Sequence, residues 1–183
     1  MKTGLFFGSF NPMHVGHLII AQYLLEEANL DQIRIVVSPR NPFKGEQELW
    51  SPEKRLNLSR LSVGNHPKIS VSDVEFSLPT PSYTINTLNY FVEKEPENKF
   101  SIIMGSDNMQ KFSSWKDYDT ILQNFTVLVY LRRGYETMEI THPNIRIFEA
   151  PYLDISASFI RKRLSEGKSV NYLVRDEILP HLF

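Results

Sequence analysis

A chain of 183 residues, 42% hydrophobic and 22% charged, has the apolar content for one packed core and is read as a single domain spanning 1–183. Its 20 basic and 21 acidic side chains nearly cancel, to a formal charge of −1, which excludes the strongly basic surface that bulk nucleic acid or an anionic membrane would require. Cysteine is absent, so disulfides, thiol nucleophiles and iron–sulfur ligation are excluded, and the short apolar run after Met1 is neither a signal peptide nor a membrane span; the reading is of a cytoplasmic protein.

Taken in chain order, apolar runs of strand length alternate with helical periodicity. Leu5–Phe7 predicts a first strand. Leu18, Ala21, Leu25 and Ala28 then mark one face of a helix, with Gln22, Glu26 and Glu27 turned away from it. Ile33–Val37 is a β-branched run of the kind that fills a parallel strand covered on both sides. Asn41-Pro42-Phe43-Lys44-Gly45 reads as loop, continuing to Trp50. Ser51-Pro52-Glu53 has the composition of a helix start, with Ser as cap and Pro at the first helical position. Ile69–Val74 predicts another strand, Pro79-Thr80-Pro81 a break, and Ile85, Leu88 and Val92 the apolar face of the next helix. Phe100–Met104, Phe125–Leu131 and Ile145–Phe148 complete the predicted strands. Helices over Ser156–Leu164 and Leu173–Leu179 close the chain. This alternation implies an α/β fold with a mostly parallel sheet and right-handed crossovers. In such sheets ligands bind beyond the carboxyl ends of the strands. The candidate polar residues gather there: Gly8–His17 after the first strand, Asn41–Lys44 after the second, and Gly105–Asp107 after Met104.

The stretch Gly8-Ser9-Phe10-Asn11-Pro12-Met13-His14-Val15-Gly16-His17 reads as strand end, stiff loop and first helical turn. Gly8 lets the backbone leave the strand without a Cβ in a ligand's path, and Pro12 holds Asn11 extended. His14 and His17, three residues apart, share a helical face, and Gly16 between them leaves room for a bulky group. Imidazoles at a helix N-terminus, where backbone N–H groups point outward, suit a phosphate chain. The residues alone equally allow two histidines that merely cap the helix start and face solvent. A structural zinc site is disfavoured, because no cysteine exists and the stretch holds no acid. Ile155-Ser156-Ala157-Ser158-Phe159-Ile160-Arg161 is a second constellation. Taken alone it is a Ser-capped, solvated basic helix.

Together the two stretches resemble the signatures of the nucleotidyltransferase superfamily, H-x-G-H near the N-terminus and I-S-x-T-x-x-R near the C-terminus. Asn11 stands where many members carry Asp, and Ser158 stands where the second signature has Thr. Ser82-Tyr83-Thr84-Ile85-Asn86-Thr87-Leu88, Gly105-Ser106-Asp107 with Phe112 and Trp115, and Asn41-Pro42-Phe43-Lys44 narrow the resemblance to the bacterial nicotinate-nucleotide adenylyltransferases. In Leu131-Arg132-Arg133-Gly134, Arg133 departs from that family's R-P-G. The resemblance implies a Rossmann-like nucleotidyltransferase fold with helices on both faces. It also implies adenylyl transfer from ATP to nicotinate mononucleotide, giving deamido-NAD and pyrophosphate. His14, His17, Lys44 and Arg161 would be the catalytic donors. Gly8, Ser9, Phe10, Gly105, Asp107, Ile155, Ser156 and Ser158 would join His14, His17 and Arg161 around ATP. Asn11, Lys44, Tyr83, Thr84, Trp115 and Arg132 would hold the acceptor. Mg²⁺ would arrive mainly on the ATP phosphates, with no protein metal ligand. Rival readings are the same transfer to nicotinamide mononucleotide, phosphopantetheine adenylyl transfer, and a non-catalytic nucleotide sensor. His66, His142 and His181 sit in no motif and read as surface or turn residues.

Overall fold

A computed structural model describes residues 1–40, 49–135 and 142–183. Six strands form one sheet, β1 (Lys2–Gly8), β2 (Gln32–Val37), β3 (Ile69–Ser72), β4 (Lys99–Gly105), β5 (Thr126–Tyr130) and β6 (Ile145–Phe148), in the order β3-β2-β1-β4-β5-β6. All five pairings are parallel. Every carboxyl end therefore opens on the same rim. The helices are α1 (Val15–Glu27), α2 (Pro52–Val63), α3 (Thr84–Lys94), α4 (Ser106–Met109), α5 (Tyr118–Asn124) and α6 (Ala157–Ser165).

Alternation along each strand divides the core. Phe6, Ile35, Ile103 and Leu128 face one layer, where Ile20, Ala21, Leu24 and Leu25 of α1 pack. Leu5, Val36, Ile102, Val127 and Val129 face the other, against Ile85, Leu88 and Phe91 of α3 and Ile121 of α5. Largely buried on both faces, these strands read as near-continuous apolar runs, interrupted in β2 by Arg34 and in β4 by Ser101. The order reverses between β1 and β4, which leaves a crevice at their carboxyl ends. A third cluster joins Leu58 of α2 to Ile160 of α6 and to Val170, Val174, Ile178 and Leu182. This last segment also reaches the crevice, because the Leu173 carbonyl accepts the Val15 N–H at the start of α1 (3.0 Å).

The expected strand and helix positions hold with four differences. β3 stops at Ser72 rather than Val74. Val74–Phe76 instead forms a 3-10 turn, after Ser72 Oγ accepts the Val74 N–H and Arg60 pairs with Asp73. The inner face of α3 uses Phe91, stacked near Phe100, and leaves Val92 42% exposed. The closing helix is a 3-10 segment over Asp176–His181, displaced from Leu173–Leu179. Finally, α4 and α5 occupy stretches for which no helix is expected. Ser51 caps α2 as expected, its Oγ accepting the Lys54 N–H at 3.2 Å. His66 and His142 lie in turns, each accepting backbone N–H groups. No helix among the described residues is long and apolar enough to cross a membrane.

Truncating the fully buried Leu58 opens a cavity where α2, α6 and the C-terminal segment meet. L58A is expected to lose about 2–5 kcal/mol in urea unfolding, and a loss under 1 kcal/mol would show that this cluster does not hold the C-terminal segment to the domain.

Candidate active site

A cleft of about 1270 Å³ lies over the reversal in strand order. Its floor is the end of β1 and the loop to α1, with Gly8, Ser9, Phe10, Asn11, His14 and His17 on its lining. One wall comes from the ends of β4 and β5: Gly105, Asp107, Tyr130, Arg132 and Arg133. The facing wall is the approach to α6: Ile155, Ser156, Ser158 and Arg161. The expected ATP-side residues therefore converge from three separate segments.

His14 is the N-cap of α1 rather than its first helical residue. Its backbone N–H donates to His17 Nδ1 (3.2 Å), and the two rings stack with centroids 3.7 Å apart and planes 27° apart. The glycine flanking this pair has a different reason from the one the sequence suggested. A Cβ at Gly16 would lie 3.0 Å from His14 Nδ1, so the space is reserved for the imidazole rather than for a ligand. A Cβ at Gly8 would likewise strike the Phe10 ring at 2.8 Å. Phe10 adopts φ +45°, in the left-handed region that is costly for a side chain, and this turns its ring edge-on to Phe6 and His17 at 5.8 and 5.0 Å. The Asn11–Pro12 peptide is cis. The N–H groups of α1 are less available than the helix-start argument assumes. Val15 donates to Leu173 and His17 to the His14 carbonyl. Burial, reinforced by the nearby Arg132 cation, pushes the His14 imidazole down from 6.5 to about 4, so it is neutral at physiological pH.

The opposite walls are fixed by charge-assisted hydrogen bonds. Ser156 Oγ caps α6 by accepting the Phe159 N–H (3.1 Å). From one turn in, Arg161 donates to the Asn11 carbonyl (2.8 Å) and to Ser158 Oγ (3.3 Å), which joins the two signature stretches directly. Arg132 pairs with Asp107 at 2.8 Å, and its backbone N–H donates to Ser106 Oγ. Asp107 Oδ1 is buried without a partner above Gly105, where an added Cβ would collide with it. Arg133 forms an exposed ion pair with Asp154 at 2.9 Å. Both acids lining the cleft, Asp107 and Asp154, are thus engaged by arginine, and no cluster of three or more potential metal-binding side chains occurs among the described residues.

Tyr83, Thr84 and Trp115 do not line this cleft. Tyr83 is the N-cap of α3, with Lys116 Nζ 4.9 Å from its ring centroid, and Trp115 packs edge-on to Phe112 at 5.4 Å. Tyr83 and Trp115 are partly buried against the second core layer. Lys44 lies outside the described residues. Tyr130 and Asp154 are among the cleft residues that carry no signal in the sequence reading. Tyr130, whose phenol burial raises to about 12, ends β5, and Asp154 precedes the second signature. Position at a strand's carboxyl end would have pointed to Tyr130.

A family model described as cytidylyltransferase-like matches residues 5–163. The "Probable nicotinate-nucleotide adenylyltransferase" of Cytophaga hutchinsonii is 45% identical over 179 residues, covering 97% of this chain and 93% of that protein. The same-named protein of Flavobacterium psychrophilum is 42% identical, covering 100% and 96%. Among solved structures, the Plasmodium falciparum nicotinic acid mononucleotide adenylyltransferase complexed with NaAD superposes with a TM-score of 0.78. It is 19% identical, with 98% of this chain and 95% of that one covered, a likeness that speaks to the fold.

The burial of His14 makes stability depend on pH. The unfolded chain takes a proton at this site near pH 6.5, whereas the folded one does not until about 4. Between those values the unfolded state binds more protons, so stability falls as pH falls. The full shift corresponds to about 3 kcal/mol. H14Q is expected to lose less stability than the wild type between pH 6.5 and 4 in parallel urea titrations. Parallel pH profiles would refute the neutral, buried state of His14.

Proposed function

The chain belongs to the nicotinate-nucleotide adenylyltransferase family within the cytidylyltransferase-like group, and from that footing we propose how its cleft carries out adenylyl transfer. It is a nucleotidyltransferase. The reaction we assign is attack of a phosphate oxygen of nicotinate mononucleotide on the α-phosphorus of ATP. One P–O bond forms to the acceptor and the bond to the β-phosphate bridge breaks, giving deamido-NAD and pyrophosphate. The attacking oxygen is already anionic, so no protein nucleophile or base is required. What the protein must supply is alignment of two anions and stabilisation of charge at the reacting phosphate.

The observation that carries this reading is the stacked His14–His17 pair facing Arg161 across the cleft, with Arg132 on the adjoining wall. His14, held neutral by its burial, is assigned as a hydrogen-bond donor rather than as a fixed positive charge. His17, braced by Phe10 and by the His14 backbone, is assigned to the transferring phosphate. Arg161 presents a planar fork suited to phosphate oxygens, already steered by the Asn11 carbonyl. Gly8, Ser9, Phe10, Gly105, Asp107, Ile155, Ser156 and Ser158 are assigned to the ATP side. Asn11, Tyr83, Thr84, Trp115 and Arg132 are assigned to the acceptor, and Lys44 to both binding and catalysis.

ATP is taken as its Mg²⁺ complex. The donor set does not fit a cation ligated by the protein, because arginines hold both cleft carboxylates. The metal therefore belongs to the substrate, and no step is assigned to a resident ion. A cytoplasmic setting completes the assignment.

Wild-type protein given ATP, Mg²⁺ and nicotinate mononucleotide is expected to release pyrophosphate. H17A is expected to lower kcat by roughly 10²–10³ while KM for ATP changes little, the pattern of a donor used mainly in the transition state. Near-normal turnover in H17A would remove His17 from the mechanism. ATP binding by the wild type without pyrophosphate release would favour a nucleotide sensor.

A further inference from the structure

Arg55, on the first turn of α2, is fully buried and takes no part in the cleft lining. Its guanidinium spends its donors on main-chain carbonyls. Nε donates to Trp50 (3.0 Å), Nη1 to Ser9 (2.7 Å) and Ser38 (2.8 Å), and Nη2 to Pro39 (2.7 Å). These carbonyls belong to three chain segments that adjoin the two candidate subsites. Ser9 leads into Asn11 and the stacked histidines. Ser38 and Pro39 follow β2, and the next carbonyl, that of Arg40, accepts the Ser82 N–H beside Tyr83 (3.1 Å). Trp50 returns the connection, since its N–H donates to Asn11 Oδ1 (3.1 Å).

From this connectivity we infer that Arg55 is a positioning residue, which sets the phosphate loop at Ser9–Asn11 in register with the Ser38–Arg40 segment that borders Tyr83. The inference rests on the adenylyl-transfer reading above. An in-line reaction between two separately bound anions depends on the spacing of their two supports, and each support can bind its own substrate without the other. Arginine is the side chain this junction requires. Its planar fork holds donors aimed in several fixed directions at once, whereas a lysine ammonium is a single point at the end of a flexible stem.

The test uses the full chain with R55K and R55M, in steady-state pyrophosphate release varied separately in ATP and nicotinate mononucleotide. Thermal unfolding and near-ultraviolet circular dichroism give the folded fraction at the assay temperature. The expected result for R55K is a folded protein whose kcat falls roughly 10- to 100-fold, with both KM values within about threefold of wild type. R55M is expected to fall further. A kcat per folded molecule within twofold of wild type in R55K would overturn the inference, as would failure of both variants to fold, since Arg55 would then serve only the fold. A wild type that releases no pyrophosphate in the same assay fails the adenylyl-transfer reading and this inference with it. An active wild type with an unaffected R55K fails this inference alone.

Discussion

One buried cation holds the rim of this sheet together. Loops leaving the carboxyl ends of parallel strands carry backbone carbonyls that no ladder satisfies, and burying them without donors is costly. Arg55 satisfies carbonyls from the ends of both β1 and β2 and from Trp50, which precedes the Ser51 cap of α2. A guanidinium buried this deeply is itself tolerable only when its N–H groups are used, so arginine and loops stabilise one another. Burial pulls its pKa downward, but the group stays charged, which strengthens each of these hydrogen bonds. On the cleft side Arg161 repeats the device by donating to the Asn11 carbonyl. The Ser9–Asn11 loop is thus held by Arg55 of α2 and Arg161 of α6, helices far apart in sequence that meet through the third core cluster.

That clamp explains how a costly local conformation is maintained. Phe10 in the left-handed region and a buried imidazole stack are unfavourable taken separately. Both persist because the loop has no freedom to relax. Phe10 fills the space that Gly8 leaves, His14 fills the space that Gly16 leaves, and His17 is held between the Phe10 ring edge and the His14 backbone N–H. The outcome is a neutral donor beside fixed cations, in a cleft whose acids are occupied. Such a site attracts a polyanion without presenting a carboxylate to repel it.

Much of this architecture was legible in the sequence, for identifiable reasons. β1, β2, β4 and β5 are largely buried on both faces, so each appears as a mainly apolar run, despite Arg34 in β2 and Ser101 in β4. The two signature stretches converge as expected because loops after parallel strands share one rim. The errors fall where local chemistry overrides periodicity. Val74 continues a β-branched run but follows an Asp73 turn. Leu173–Leu179 has helical spacing, yet Val174 anchors the chain before the helix begins and Ile178 anchors a tighter 3-10 segment that runs Asp176–His181 with Pro180 inside it. α4, with four residues, is too short to show a face. Arg55 was missed for a deeper reason. No pattern in a sequence distinguishes a buried arginine from the solvated ones that are the rule, and its four acceptors are backbone atoms, which every residue has. The same applies to the glycines: their identity marks crowding, but which group crowds them is a tertiary fact.

The account turns on the acceptor, since family and fold alone do not discriminate an acid from its amide by physical necessity. The most direct measurement is the initial rate of pyrophosphate release from one purified sample with ATP and Mg²⁺, given nicotinate mononucleotide or nicotinamide mononucleotide in parallel. The account predicts a strong preference in kcat/KM for the acid, with deamido-NAD as product. A preference for the amide, or no release with either, would contradict it.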